Sequence, residues 1–440
     1  MLGTFAKAFR TPDLRRKLLF TIGIIVVYRL GCFIPCPGVN YGAIKAITDN
    51  ASDDGTAGVL SLINLFSGGA LLTLSVFALG IMPYITASII IQLLRVVIPR
   101  FEALHKEGQA GTSKLTQYTR YLTIALAILQ STVVITSAKS GQLFSGSATS
   151  DQTDALFYNG GGPMTVFLMI VTMTAGTGMI MWLGELITER GVGNGMSLLI
   201  FASIVSGFPG SMSQVLGSNN GTRNFVVVLL VFVGVIGAIV FVEQCQRRIP
   251  VQYAKRMVGR RTYGGSSTYI PIKINIAGVI PVIFASSLLS LPYMVVQFAQ
   301  NSTNPVVLWI AGNLRQQDLV YMVLYGLLII FFCFFYTSIT FNPEEVADNM
   351  KRYGGFIPGI RAGRPTAEYL QYVISRITTS GSLYLAIVAL IPQVMFSAMG
   401  VYNNLPFGGT TLLIIVGVGL DTVKQIESQL QQRHYEGFLR

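Results

Sequence analysis

The sequence predicts an all-α polytopic membrane protein, with ten transmembrane helices in two inverted-repeat halves of five. Three observations carry this. Hydrophobic residues fill 52% of the 440 positions and charged residues only 11%, where a soluble chain carries about 25%. Apolar runs of spanning length recur along the chain. And one phrase occurs twice, 198 residues apart: Gly80-Ile81-Met82-Pro83-Tyr84-Ile85-Thr86-Ala87-Ser88 and Gly278-Val279-Ile280-Pro281-Val282-Ile283-Phe284-Ala285-Ser286. Internal repeats of this kind place the working centre of a membrane protein where its halves meet.

A helix needs about 20 residues to cross the hydrocarbon core. Apolar runs fall at 18–37, 74–96, 119–137, 165–184, 195–210, 224–242, 275–297, 318–340, 370–392 and 409–427. The run at 195–210 is short and that at 370–392 is weak. Met1 to Lys17 is basic, with no small-residue cleavage site after it, so the first run reads as an uncleaved membrane helix. With that end inside, inner segments and inner helix ends hold 26 of the 31 Lys and Arg. Lys45, Lys139, Arg223 and Arg315 fall outside, and Arg29 lies within the first run, where it can snorkel. This asymmetry orients ten spans with both termini cytoplasmic. The net charge of +12 therefore marks one membrane face and, in the longer gaps, an anionic or ribosome-sized partner, and does not mark general nucleic-acid binding.

The gap after the first run holds Leu60 to Leu71, apolar but too short to span. Such a segment dips into the protein as a half-helix, either a movable stopper with Gly68-Gly69 at its end or a fixed interfacial helix. Two inner gaps are long. Arg247 to Arg261 alternates basic with apolar and aromatic residues, a pattern for a projecting hairpin. Phe341 to Ala367 sets Arg361 on a turn between Gly359 and Gly363, where an exposed guanidinium can meet a carboxylate or phosphate. Ordinary positive-inside charge is the bland alternative for both gaps.

No nucleophile-elbow, zinc-protease or nucleotide-loop motif is present, and no carboxylate pair lies within a run. The four cysteines form no CxxC pair, and His105 and His434 lie in polar segments, so neither metal nor cofactor is expected. Glu185 and Glu189 end a helix on the inner side, Glu189 next to Arg190 as an exposed local pair. Ionisable groups near midplane, the mark of ion-coupled transport, are almost lacking.

In the repeated phrase, Ile81 and Ile85 share one helix face, and Ile280 and Ile283 stand three apart. These isoleucines either line a narrow, dry constriction or face lipid and core. Pro83 and Pro281 interrupt their runs at equivalent points. Thr86, Ser88, Gln92, Gln130, Ser131, Ser286 and Ser287 are polar at membrane depth, lining a seam between halves or making ordinary interhelical hydrogen bonds.

Together these residues resemble the SecY/Sec61-alpha family, the central subunits of Sec-type protein-conducting channels. The matching stretches are Tyr28 to Gly31, Ile34 to Gly38, Phe66 to Ala70, Phe77 to Ile85, Ile89 to Gln92, Gly191 to Gly195, Gln246 to Ala254 and Pro358 to Arg361. The resemblance covers nearly the whole chain.

It implies a cytoplasmic N-terminus at 1–17 and an N-terminal half at 18–210, with a plug near 61–72. An external segment at 211–223 lies near the hinge. A C-terminal half follows at 224–427 with cytoplasmic loops near 243–273 and 341–369, then a tail at 428–440. The plug would include Leu62, Ile63, Leu65, Phe66, Gly68 and Gly69. The hydrophobic pore ring would map to Ile81, Ile85, Met196, Ile200, Ile280, Ile283 and Ile415, Met196 being a soft departure from isoleucine. The lateral gate would lie between the second and seventh runs, with Pro83, Thr86, Ser88, Gln92, Gln130, Pro281, Ser286 and Ser287. Arg247, Arg248, Lys255, Arg256 and Arg361 would meet partners.

A passive channel is implied, one that passes unfolded preproteins and releases signal segments into membrane lipid. The implied partners are SecE-like and SecG-like subunits, the SecA ATPase, the ribosome, signal sequences, and a SecDF or YidC-type insertase. The expected location is the bacterial cytoplasmic membrane. A secondary transporter and a membrane enzyme are the rival classes, set against the missing midplane charge and the missing catalytic constellation.

Overall fold

The computed structural model describes residues 11–44, 67–71, 73–139, 156–158, 162–217, 221–253, 256–258, 261–263, 267–298, 319–398 and 409–438. Twelve helices occur among them: α1 (Pro12–Cys32), α2 (Met82–Val97), α3 (Pro99–Lys106), α4 (Gln109–Lys139), α5 (Pro163–Arg190), α6 (Gly195–Gly217), α7 (Gly221–Gln244), α8 (Ile280–Phe298), α9 (Leu319–Thr340), α10 (Pro343–Arg352), α11 (Arg364–Ala398) and α12 (Gly409–Phe438). All but α3 and α10 overlap one of the apolar runs.

Six stretches among the described residues are long and apolar enough to cross a membrane: five within α4, α5, α7, α11 and α12, and one, Leu319–Arg352, that runs through α9 and α10. Shorter apolar helices lie within α2, α6 and α8. α1 carries Asp13, Arg15, Arg16 and Lys17 in its first turns. The protein is thus a helical, multi-spanning membrane protein. Its lipid-compatible surface is explicit in exposed residues such as Leu230, Phe241 and Leu327.

The run at 74–96 is helical only from Met82. Upstream, Ser75 bridges to Pro35, the Val76 amide donates to the Ile34 carbonyl at 2.9 Å, and Leu74 is held at φ 46°, a conformation that bulky residues rarely adopt. Pro83 therefore does not interrupt a helix. It stands in the first turn, where its missing N–H costs nothing. The second copy behaves alike: α8 starts at Ile280, with Pro281 next. Gly80 and Gly278 both take positive φ, 57° and 62°, so each copy is a left-handed glycine corner followed by a proline-started helix.

α1, α2, α4, α5 and α6 pack largely among themselves, as do α7, α8, α9, α11 and α12. The two sets touch along α6 with α7 and α12, and again where α8 meets α2 and α4. One apolar cluster runs through both, from Ile24 and Tyr28 on α1 to Leu412 and Leu420 on α12.

On the side where α7 ends, the backbone turns to strands β1 (Gln246–Tyr253), β2 (Arg256–Val258), β3 (Arg261–Tyr263) and β4 (Ser267–Lys273), with β5 (Gly355–Phe356) after α10. β2 and β3 pair antiparallel, with Arg256 opposite Tyr263. β1 pairs antiparallel with β4, Ile249 opposite Ile270, and with β5, Gln252 opposite Phe356. This sheet buries Ile249, Val251 and Ile272 against Met350, Ile357, Leu370 and Ile374.

Candidate functional site

The seven isoleucine and methionine positions enter one apolar cluster. Ile81 caps the start of α2 and Ile85 follows one turn on. Ile280 and Ile283 open α8; Met196 and Ile200 lie one turn apart on α6; Ile415 is on α12. Ile81 and Ile200 are buried and the other five half-buried. The cluster extends well beyond these seven, so their burial alone does not single out a ring. Met196 lies over Gly184 of α5, where any Cβ would collide with its thioether.

Of the proposed plug, Leu62, Ile63, Leu65 and Phe66 lie outside the described residues, while Gly68 and Gly69 are described. The segment ends on α1. The Arg29 guanidinium donates to the Gly68 carbonyl at 3.1 Å and stands 5.5 Å from the centre of the Phe33 ring. The Cys32 thiol reaches the Ser67 carbonyl at 3.8 Å, and the Ser67 hydroxyl accepts from the Leu71 amide at 3.1 Å. Arg29 is therefore half-buried and bonded to backbone, a role beyond the snorkelling cation of its sequence context.

On α2, α4 and α8, which meet one another, Pro83, Thr86, Gln130, Pro281, Ser286 and Ser287 are buried, and Ser88 and Gln92 half-buried. Two of these hydroxyls turn back on their own helices. Thr86 donates to the Met82 carbonyl at 3.0 Å and Ser286 to the Ile283 carbonyl at 2.9 Å. Thr86 and Ser286 thus satisfy their polarity within their own helices.

The two long inner gaps come together in the three-stranded sheet. Arg247 and Arg248 are exposed on β1, with the Arg248 guanidinium 4.8 Å from the Tyr269 ring centre. Arg256 is on β2, and Lys255 lies outside the described residues. Arg361 is exposed between Gly359 and Gly363, both at positive φ. Its own carbonyl accepts from the Thr366 hydroxyl at 2.8 Å, and neighbouring Ile360 packs into the sheet's core. A fixed backbone presents an exposed cation.

Three polar contacts escaped the sequence reading. Glu185 makes a two-pronged pair with Arg120 of α4, at 2.9 and 2.7 Å. The Tyr28 and Ser203 hydroxyls meet at 2.7 Å between α1 and α6. Glu243 and Asn275 bond at 2.6 Å. Each joins residues 32 to 175 positions apart, and no local pattern announces such pairs. Among the described residues, no group of three or more His, Cys, Asp or Glu is placed to hold a metal.

The SecY family profile matches residues 75–423. The protein translocase subunit SecY of Streptomyces coelicolor is 62% identical over 447 aligned residues, covering all of both chains. That of Mycobacterium bovis is 55% identical, again over both full lengths. Among solved structures, a protein-conducting channel superposes with a TM-score of 0.61 at 18% identity, over 94% of this chain and 91% of that one. The Sec61 chain of a canine ribosome–channel complex from the endoplasmic reticulum gives 0.58 at 17%, with the same coverage. Such low identities speak for the fold, while the full-length relatives speak for descent: the chain belongs to the SecY family.

Proposed function

We propose that this chain is the pore-forming subunit of a bacterial protein translocase. It conducts unfolded preproteins across the cytoplasmic membrane and releases apolar segments sideways into lipid. The observation that carries this is the meeting of the two repeated-phrase helices, α2 and α8, at one apolar junction, in a chain matched from end to end by a translocase subunit.

In this reading ten helices span the membrane as two inverted halves, with both termini cytoplasmic. Ile81, Ile85, Met196, Ile200, Ile280, Ile283 and Ile415 form a collar that passes any side chain and excludes ions by staying dry. The segment from Leu62 to Leu72 plugs it, anchored through Arg29. The contact of α8 with α2 and α4 is the lateral exit. An apolar signal helix opens that exit by moving into lipid, gaining about 0.8 kcal/mol per buried CH₂. The chain shows no nucleotide-binding motif, so the work comes from outside. A SecA ATPase or a ribosome docks on the basic sheet and Arg361, and SecE-like and SecG-like helices complete the pore.

Conductance in a planar bilayer, with a SecE-like partner, tests this. The intact chain should be nearly silent, and deletion of Leu62 to Leu72 should raise the current sharply. Silence in both, with sodium- or proton-driven solute uptake, would overturn the channel reading.

A further inference from the structure

Glu243 is the penultimate residue of α7 and only 8% exposed. Asn275 is 2% exposed, in the turn between β4 and α8. Its amide nitrogen donates twice, to the Glu243 carboxylate at 2.6 Å and to the Gly278 carbonyl at 3.1 Å. Both partners are acceptors, so chemistry fixes which way the amide points. One side chain thereby ties the end of α7 to the left-handed corner that starts α8.

The turn is held from two further directions. The Ile274 amide donates to the Cys245 carbonyl at 3.2 Å. On the opposite side, α11 approaches so closely at Gly381 that a Cβ there would come 2.6 Å from the Ile274 carbonyl oxygen. The charged and titratable groups around the carboxylate are Lys273, Asp421, Lys424 and Tyr384. Lys273 and Asp421 pair with each other at 3.7 Å, and the hydrogen bond to Glu243 comes from Asn275.

We infer that Glu243 and Asn275 are positioning residues that make α7 and α8 move as one body, so that α8 cannot leave α2 alone. This rests on the proposed lateral exit between α2 and α8. The consequence is energetic. With the clasp intact, parting the seam displaces two helices and the turn between them. Without it, the corner that starts α8 loses its tie to the end of α7, and a weaker signal helix suffices to open the exit. Removing either partner leaves the other buried and unsatisfied, which is worth about a tenfold change or more in an equilibrium.

The test uses the full chain with its membrane partners and motor in proteoliposomes, comparing Glu243→Ala, Glu243→Gln and Asn275→Ala with the parent. Glutamine keeps an acceptor oxygen in place and should behave close to the parent, which separates the clasp from simple misfolding. In Glu243→Ala and Asn275→Ala, backbone hydrogen exchange at residues 279–285 should rise about tenfold or more, with residues 82–88 unchanged as an internal reference. Transport of a substrate with a shortened apolar signal should rise about tenfold, and transport with a full signal should hold. Unchanged exchange at 279–285, or transport of both substrates falling in parallel, would overturn the clasp. A parent chain that transports neither substrate would instead overturn the channel reading, and the exchange comparison would still judge the clasp.

Discussion

At Gly80 the chain turns into α2 over a bed of rings, with Phe77 stacked on Tyr28 at 5.9 Å between centres and seated against Gly31, where any Cβ would strike the ring. At Gly278 the chain makes the same corner into α8 over hydrogen bonds, with Asn275 in the place that Phe77 holds in the first copy. The repeat thus preserves backbone punctuation, a left-handed glycine and a proline in the first helical turn, and leaves the seating to local neighbours. Stacked rings hold by area and resist displacement in all directions. A clasp holds by direction and lets go once its geometry is lost.

The largest expected effect falls on the ring-seated corner. Phe77→Ala removes a side chain only 3% exposed and should cost about 3–5 kcal/mol, seen as a lower apparent unfolding temperature of the purified chain. A drop no larger than that of a surface substitution would mean that the stack does not seat α2.

Glycine-to-alanine changes sharpen the comparison next. Holding alanine at positive φ costs about 1–2 kcal/mol at either corner. A Cβ at Gly278 meets nothing within 4 Å, whereas Gly80 is buried. Gly80→Ala should therefore destabilise more than Gly278→Ala in the same melt, and the reverse order would sink the idea that both corners keep their shape. The smallest effect is Tyr28→Phe, which removes the 2.7 Å contact with Ser203 but keeps the stack. It should cost about 1 kcal/mol, a small fraction of the Phe77→Ala loss.

These corners also mark what could and could not be read from the chain. Apolar length and the placement of Lys and Arg are local signals, and each apolar run carries a helix. Leu74 to Ile81 is as apolar as a helix, so pattern alone starts α2 too early. It is held instead by backbone bonds to Ile34 and Pro35, some 40 residues away. The basic gap after α7 gave its hairpin through alternating burial of Ile249 and Val251. Its pairing with Gly355 and Phe356 joins segments about a hundred residues apart and has no local trace. The apolar positions around Ile81 and Ile280 were legible because repetition exposed them. Arg29 on Gly68 and Glu243 on Asn275 were not, since a lone charge in a run states only that a partner exists somewhere.

The three-stranded sheet has a mechanical consequence. β1 leaves directly from α7, β4 feeds α8, and β5 stands shortly before α11. A load placed on any one strand is taken up as shear along antiparallel hydrogen bonds, the arrangement in which many bonds share a force at once. The sheet is therefore a common root for three helices: torque applied outside the membrane at Arg248 or Arg361 reaches all of them together, before any one can bend alone.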